Sequence, residues 1–273
     1  MAAQRRKRLL AEHDPDAWRA HCRGSIAVKA MILAAGLGTR LRPLTNTLPK
    51  PLLPVAGTPL IVWNLMLLRK HGIMDAIINL HHLGHLIEKE LGDGSQFGMH
   101  LSYSHEPVIL GTGGGIKHAL DYFHGEPFFV LNGDTLIDIN LSLLLAFHRE
   151  RTSLATMVVR DDAEVDRWGA VELDKDQRVL RINGRGLTSN APVTRAKRMF
   201  AGIHVMHPRL LRSIPPGHEA SVIDAYVREI ERGERICGFT MEGYWSDIGT
   251  PERYVQAQRD AETGKIHLAE RHA

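Results

Sequence analysis

The chain has 273 residues, a formal net charge of +3, 44% hydrophobic and 24% charged residues, and only two cysteines. These values fit a globular protein that buries a sizeable core in one large α/β domain or two smaller ones. They exclude a chain of apolar membrane spans and a disulfide-built scaffold, because Cys22 and Cys237 are too few and lack metal spacing. A reducing cytoplasm is the expected compartment.

The basic charge is local. Residues 1–29 hold seven Lys and Arg against Glu12, Asp14 and Asp16, a balance of +4 that leaves −1 for the remainder. Residues 1–28 are therefore expected to be a basic, disordered leader rather than a nucleic-acid arm, and the three acidic residues argue against a transit peptide.

The first organised element is the apolar run Ala30 to Leu33, short, β-competent and ended abruptly by small residues. Ala34, Ala35, Gly36 and Gly38 then expose backbone N–H groups that can wrap anionic phosphates. Arg40 and Lys50 add fixed positive charge, and Pro43, Pro49, Pro51 and Pro54 limit the motion of the loop. No Walker string follows the strand. The dinucleotide fingerprint fails at its third glycine, where Leu41 stands, and no acidic residue lies about 20 positions on to hold a ribose.

Downstream, Thr58 is expected to cap a helix that starts at Pro59, carries Leu60, Trp63, Asn64, Leu67 and Leu68 on a helical spacing, and ends at Gly72. A strand over 76–80, a helix over 85–91, a strand over 101–104, a helix from about Ile116 and a strand over 127–131 follow. This alternation implies parallel pairing in a doubly wound sheet, with ligands at the carboxyl ends of the strands. The second half changes rhythm. Short strands at 155–159, 170–173 and 179–182 read as a hairpin-rich insertion, and the polar stretch 183–198 as a loop over a site. A strand at 200–206, a helix at 221–232, a strand at 236–241 and a Thr250-capped helix to about Thr263 complete the reading.

Two aspartates invite a role. Asp134 follows Asn132 and Gly133 at the end of the apolar strand, and Asp247 lies in YWSDIGTPERY just before a capped helix. Their hard oxygens suit Mg²⁺, which binds through one or two carboxylates plus substrate phosphates. The plain alternative for either is a turn or capping aspartate. They can share one ion only if the fold brings together residues more than a hundred positions apart. The histidines His81, His82 and His85, and the pair His204 and His207, have no sulfur or carboxylate partner in register. Structural or solvent-facing roles are expected for them rather than zinc.

The string GLGTRLRPLT followed by PKPLLPVAGTP resembles the signature of the sugar-1-phosphate nucleotidylyltransferases, and the resemblance runs from residue 29 to about 262. It implies a Rossmann-like, three-layer α/β fold with a mixed, mostly parallel central sheet and a small β-rich sugar-binding insertion. It implies one domain over 29–263, with a nucleotide-binding part over 29–150, a sugar-binding part over 151–263, and a tail over 264–273. It further implies Mg²⁺ held by Asp134 and Asp247, with Arg40 and Lys50 on the nucleotide phosphates beside Leu33, Ala34, Ala35, Gly36, Gly38 and Thr39. Glu106, Gly111 and Gly113 in EPVILGTGGG would lie near the base, and Asn132, Gly169, Asn183 and Gly202 at the sugar. The implied partners are an NTP (UTP or GTP) and a sugar 1-phosphate, with no nucleic acid and no membrane; the oligomeric state is left open.

The strings NLHHLG, LGDGSQFG, GTGGGI and FAGIHV look most like the N-acetylmuramate-1-phosphate uridylyltransferase branch, a pattern shared by mannose-1-phosphate guanylyltransferases. Many relatives carry E-x-K-P where this chain has RINGRG, so Asn183 cannot supply the usual charge. No hexapeptide-repeat region follows the catalytic part. A catalytically inactive NDP-sugar-binding homologue is the alternative from another class; Arg40, Lys50, Asp134 and Asp247 argue against it. A nicotinamide-dependent oxidoreductase is weakened by Leu41.

Overall fold

A computed structural model describes residues 28–187 and 196–266. The leader expected over 1–28 lies outside the described residues apart from Val28, as do residues 267–273 of the tail and residues 188–195 of the expected loop.

Chain order begins with β1 (Ala30–Leu33), a hairpin of β2 (Pro54–Val55) and β3 (Thr58–Pro59), then α1 (Leu60–Lys70), β4 (Asp75–Leu80), α2 (Gly84–Leu91) and β5 (His100–His105). It continues with α3 (Gly111–His118), β6 (Phe128–Asn132), β7 (Thr135–Ile137) and α4 (Leu141–Glu150). The second half holds β8 (Ala155–Arg160), α5 (Val165–Trp168), β9 (Ala170–Leu173), β10 (Val179–Ile182), β11 (Arg185–Gly186), β12 (Ala196–Met206), α6 (Val222–Glu231), β13 (Ile236–Thr240), β14 (Trp245–Asp247) and α7 (Pro251–Glu262).

One mixed sheet organises the molecule, in the order β11-β10-β9-β12-β6-β1-β4-β5, with β8 pairing β12 and β13 off that path. The segment from β6 through β1 and β4 to β5 is parallel throughout, as strand–helix alternation requires. Its central strands are covered on both faces, which explains why β1 and β6 read as uninterrupted apolar runs. Antiparallel pairing enters with β12, whose Ile203 and Val205 face Leu131 and Phe129 of β6. Each face of the sheet carries its own hydrophobic cluster. One is built on α1 and the β2–β3 hairpin, the other on α3 and α6. No helix among the described residues is long and apolar enough to cross a membrane.

Three expectations are corrected. Thr58 and Pro59 do not open a helix. They form the returning strand of a hairpin whose turn residues Ala56 and Gly57 both take positive φ, and α1 starts at Leu60 without a side-chain cap. The helix expected from about Ile116 begins five residues earlier, at Gly111. Gly113 and Gly114 donate to Ala220 O there, and side chains at either position would meet the backbone of 218–222. Residues 196–198 are strand, not loop. β12 extends through them to pair with β9, and the charges that read as a loop are offset, with Lys197 Nζ 2.8 Å from Asp166 and Arg198 Nη1 2.7 Å from Asp161.

Candidate active site

The loop after β1 is tied down at its first residue. Ala34 N–H donates to Asn79 Oδ1 (2.8 Å) at the end of β4, and Asn79 Nδ2 donates to Glu106 Oε1 (2.7 Å) just past β5. Glu106 Oε2 accepts from Leu110 N (2.9 Å), so this buried carboxylate has both oxygens engaged within the protein. Three strand ends and the start of α3 are thereby fixed relative to one another. Gly38 takes a left-handed φ of 63°, and a side chain there would press on Thr45.

The loop forms one wall of a cavity of about 450 Å³. Leu33, Ala34, Ala35, Gly36, Gly38, Thr39 and Arg40 line it, as do Lys50, Glu106 and Gly111, with Asn132 and Asp134 at the β6 side. Gly113 does not. Its N–H is spent on Ala220 O, and its missing Cβ makes room for Ile214 and for the backbone of Ser221 and Val222, so it acts in packing.

The two aspartates meet, and a short ladder is the cause. β14 pairs antiparallel with β7, setting Asp247 opposite Thr135, the residue after Asp134; Ile248 N–H donates to Asp134 O (3.1 Å). Lys50, on a tight turn after Pro49, reaches between them. Its Nζ lies 2.5 Å from Asp134 Oδ2 and 3.9 Å from Asp247 Oδ1. Arg253, in the first turn of α7, donates from Nη1 to the other oxygen, Asp247 Oδ2 (3.2 Å). Burial and the neighbouring Asp134 charge push the Asp247 carboxyl up from its ordinary value, against the pull of Lys50, Arg253 and Arg40. Gly249 leaves room for the Asp247 carboxylate and the Arg40 guanidinium, since a Cβ there would come within 2.4 Å of Asp247 Oδ2 and 3.1 Å of Arg40 Nη1.

No group of three or more potential metal-ligating His, Cys, Asp or Glu side chains occurs among the described residues. Two carboxylates converging beside a phosphate-suited loop nevertheless fit a hard divalent ion that takes its remaining oxygens from water and phosphate.

The residues expected at the sugar fall into two close pairs. Gly169, at φ 95°, leaves space that the Asn183 side chain fills, and Gly202, at φ 84°, does the same for Asn132. The pairs are joined by tryptophans. Trp168 precedes Gly169, Trp245 Nε1 donates to Ala201 O (2.9 Å) next to Gly202, and the two rings meet edge to face at 5.9 Å. Of these four residues only Asn132 borders the 450 Å³ cavity, so it marks the junction between its two sides.

Sequence reasoning missed Asn79, Trp168, Trp245, Gly249 and Arg253. The last three stand within six residues of Asp247, so the string around that aspartate already held the signal. His204, His207 and His81 make contacts within the fold, and His85 is exposed. His204 Nδ1 is 2.6 Å from Tyr226 Oη in the core, where burial pushes its pKa down to about 3. His207 Nδ1 accepts from Arg209 N, and His81 Nδ1 meets Glu106 O (2.8 Å).

Residues 29–264 match the family model described as nucleotidyl transferase. The N-acetylmuramate alpha-1-phosphate uridylyltransferase of Neisseria meningitidis serogroup B is 39% identical over 239 residues, covering 85% of this chain and 97% of the relative. The UTP–glucose-1-phosphate uridylyltransferase of Synechocystis and the mannose-1-phosphate guanylyltransferase of Mycobacterium tuberculosis are each 34% identical, covering 85% and 87% of this chain. The chain spans 63% and 65% of the length of those two relatives. Among solved structures, HddC from Yersinia pseudotuberculosis complexed with GMP-PN superposes with a TM-score of 0.70 at 25% identity, covering 86% of this chain and 99% of that one. A UDP-glucose pyrophosphorylase complexed with UDP-glucose gives 0.71 at 21% identity, covering 88% and 100%, a likeness of fold alone. The chain belongs to the nucleotidyl transferase family, among the sugar-1-phosphate nucleotidyltransferases.

Proposed function

We propose that the protein transfers a uridylyl group from UTP to N-acetylmuramate 1-phosphate, releasing pyrophosphate. The observation that carries nucleotidyl transfer is the convergence of Asp134, Asp247 and Lys50 beside the glycine-lined cavity. The choice of sugar is supported by the Neisseria relative, which this chain matches over 97% of its length. Guanylyl transfer to mannose 1-phosphate is the second reading, supported by the 34% identity to the Mycobacterium enzyme.

In this reading residues 29–150 bind the nucleotide and residues 151–263 the sugar, with the leader and tail outside the chemistry. Backbone N–H groups of the Ala34–Gly38 loop and the Arg40 guanidinium receive the triphosphate. Glu106 holds the wall near the base by locking Asn79 and Leu110, and Gly111 borders the cavity there while its missing Cβ makes room for the backbone at Ala220. Asn132, Gly169, Asn183 and Gly202 shape the sugar pocket. A phosphate oxygen of the sugar 1-phosphate forms a bond to the α-phosphorus while the bond from that phosphorus to the β-bridging oxygen breaks, and pyrophosphate leaves with the electron pair. The nucleophile is largely ionised near neutral pH, its second pKa being about 6, so no general base is needed. The chain's contribution is alignment and charge: Lys50 faces the α-phosphate, and Arg40 holds the departing phosphates. Asp134 and Asp247 are the donors that would hold Mg²⁺, which when bound supplies charge neutralisation on the phosphate oxygens.

The test is a matrix of four NTPs against several sugar 1-phosphates with Mg²⁺, scored for pyrophosphate. Release with UTP and N-acetylmuramate 1-phosphate above all other pairs is the expected result. A maximum with GTP and mannose 1-phosphate selects the second reading. No release with any pair, alongside measurable NDP-sugar binding, establishes an inactive binding homologue instead.

A further inference from the structure

The sugar side carries a cation that the proposed chemistry does not use. The edge-to-face pair Trp168 and Trp245 is flanked by two arginines, Arg253 with its guanidinium 4.1 Å from the Trp168 ring centre and Arg160 at 5.1 Å from that of Trp245. Arg253 is neutralised by Asp247. Arg160 is not neutralised in the same way. Its Nε donates to the carbonyl of Asp161 (3.3 Å), but the Asp161 carboxylate goes to Arg198, and among the described residues no carboxylate pairs with Arg160.

Its place in the fold is defined by its neighbours. Arg160 is half-buried at the carboxyl end of β8, opposite Met199 of β12. Trp245, beneath it, is bonded to Ala201 next to the Gly202–Asn132 contact. Among the described residues, three neighbouring cations are committed: Lys197 to Asp166, Arg198 to Asp161 and Arg167 to Glu164. A half-desolvated guanidinium held on an aromatic ring, with its terminal N–H groups free of carboxylates, is suited to a planar anion that it can grip with two hydrogen bonds. The sugar's phosphate belongs at Lys50 and the aspartates, so the anion left for Arg160 is a second one, carried on the ring.

We propose that Arg160 is a specificity-determining residue that receives a carboxylate borne by the sugar ring, so that the preferred substrate class is a carboxylated sugar 1-phosphate rather than a neutral one. This rests on the nucleotidyl-transfer reading above. Binding and turnover are therefore measured separately.

Wild type, Arg160→Met and Arg160→Lys are compared on N-acetylmuramate 1-phosphate and N-acetylglucosamine 1-phosphate, which differ only in the carboxylate-bearing ether. Affinity is read by calorimetry and kcat/KM from pyrophosphate release, with melting curves confirming that the variants fold. A charge-assisted hydrogen bond is worth about 1.5–3 kcal/mol, so the preference for the carboxylated sugar should fall about 10- to 100-fold in Arg160→Met, with part of it regained in Arg160→Lys. Equal affinities of wild type for the two sugars, or a preference unmoved by Arg160→Met, overturn the assignment. A preference that does fall in the binding measurement without pyrophosphate from any NTP supports the role of Arg160 and overturns only the transfer reading.

Discussion

Lys50 Nζ and Asp134 Oδ2 stand 2.5 Å apart, and the same ammonium is 3.9 Å from Asp247 Oδ1. One lysine, with a side chain only 9% exposed, thus links two acidic groups that the sequence keeps far apart. Lys50→Ala should lower turnover about 10³-fold, by analogy with other cations at phosphoryl-transfer sites. Single-turnover kinetics at saturating nucleotide is the measurement, and turnover near wild type would remove Lys50 from the chemistry.

The two aspartates should act as a unit. Asp134→Asn and Asp247→Asn are each expected to abolish most activity, and the double variant should be little worse than either single one, because groups that serve one function are non-additive. Activity losses that multiply in the double variant would show that the carboxylates work independently.

Gly249 gives a sharper geometric test. A Cβ at this position would come within 2.4 Å of Asp247 Oδ2, so Gly249→Ala must turn the carboxylate or shift the residue. A displacement of about 1 Å at a catalytic group can cost about 10²-fold. Gly249→Ala should therefore lose activity on that scale while melting close to wild type. The neighbouring Arg40 Nη1, 3.1 Å from the same point, should be disturbed with it.

What the sequence made legible follows from how local each signal is. β1 and its glycine loop were readable because a buried parallel strand is an unbroken apolar run and the residues after it lose their side chains within five positions. Each aspartate was readable as a candidate for the same reason. Their meeting was not, because it depends on three residue pairs between β7 and β14, strands too short to show a period of two. α4 escaped notice although Asn140 caps it through Leu143 N, since its apolar run LSLLLAF is too short to separate helix from strand. Glu106 illustrates the opposite limit. Its position beside the cavity was expected, but only the fold shows both oxygens turned inward to Asn79 and Leu110.

Acid sensitivity should come from two buried histidines rather than from the site. Burial pushes His148 down to about 4, where it meets Thr156 and Ser153, and His204 down to about 3 beside Tyr226. Both are neutral in the fold, whereas the unfolded chain takes up a proton below about 6.5. The unfolded state therefore binds more protons as pH falls, so stability is complete above about 6.5 and declines below it. The decline continues to about 4 for His148 and about 3 for His204. Within that window each histidine removes about 1.4 kcal/mol per pH unit. Urea unfolding between pH 7.5 and 5 should show this slope, and His204→Phe should flatten it by the share of one proton even though the variant starts less stable. A slope identical to wild type in His204→Phe would mean that this histidine takes up its proton in the folded state as readily as in the unfolded one.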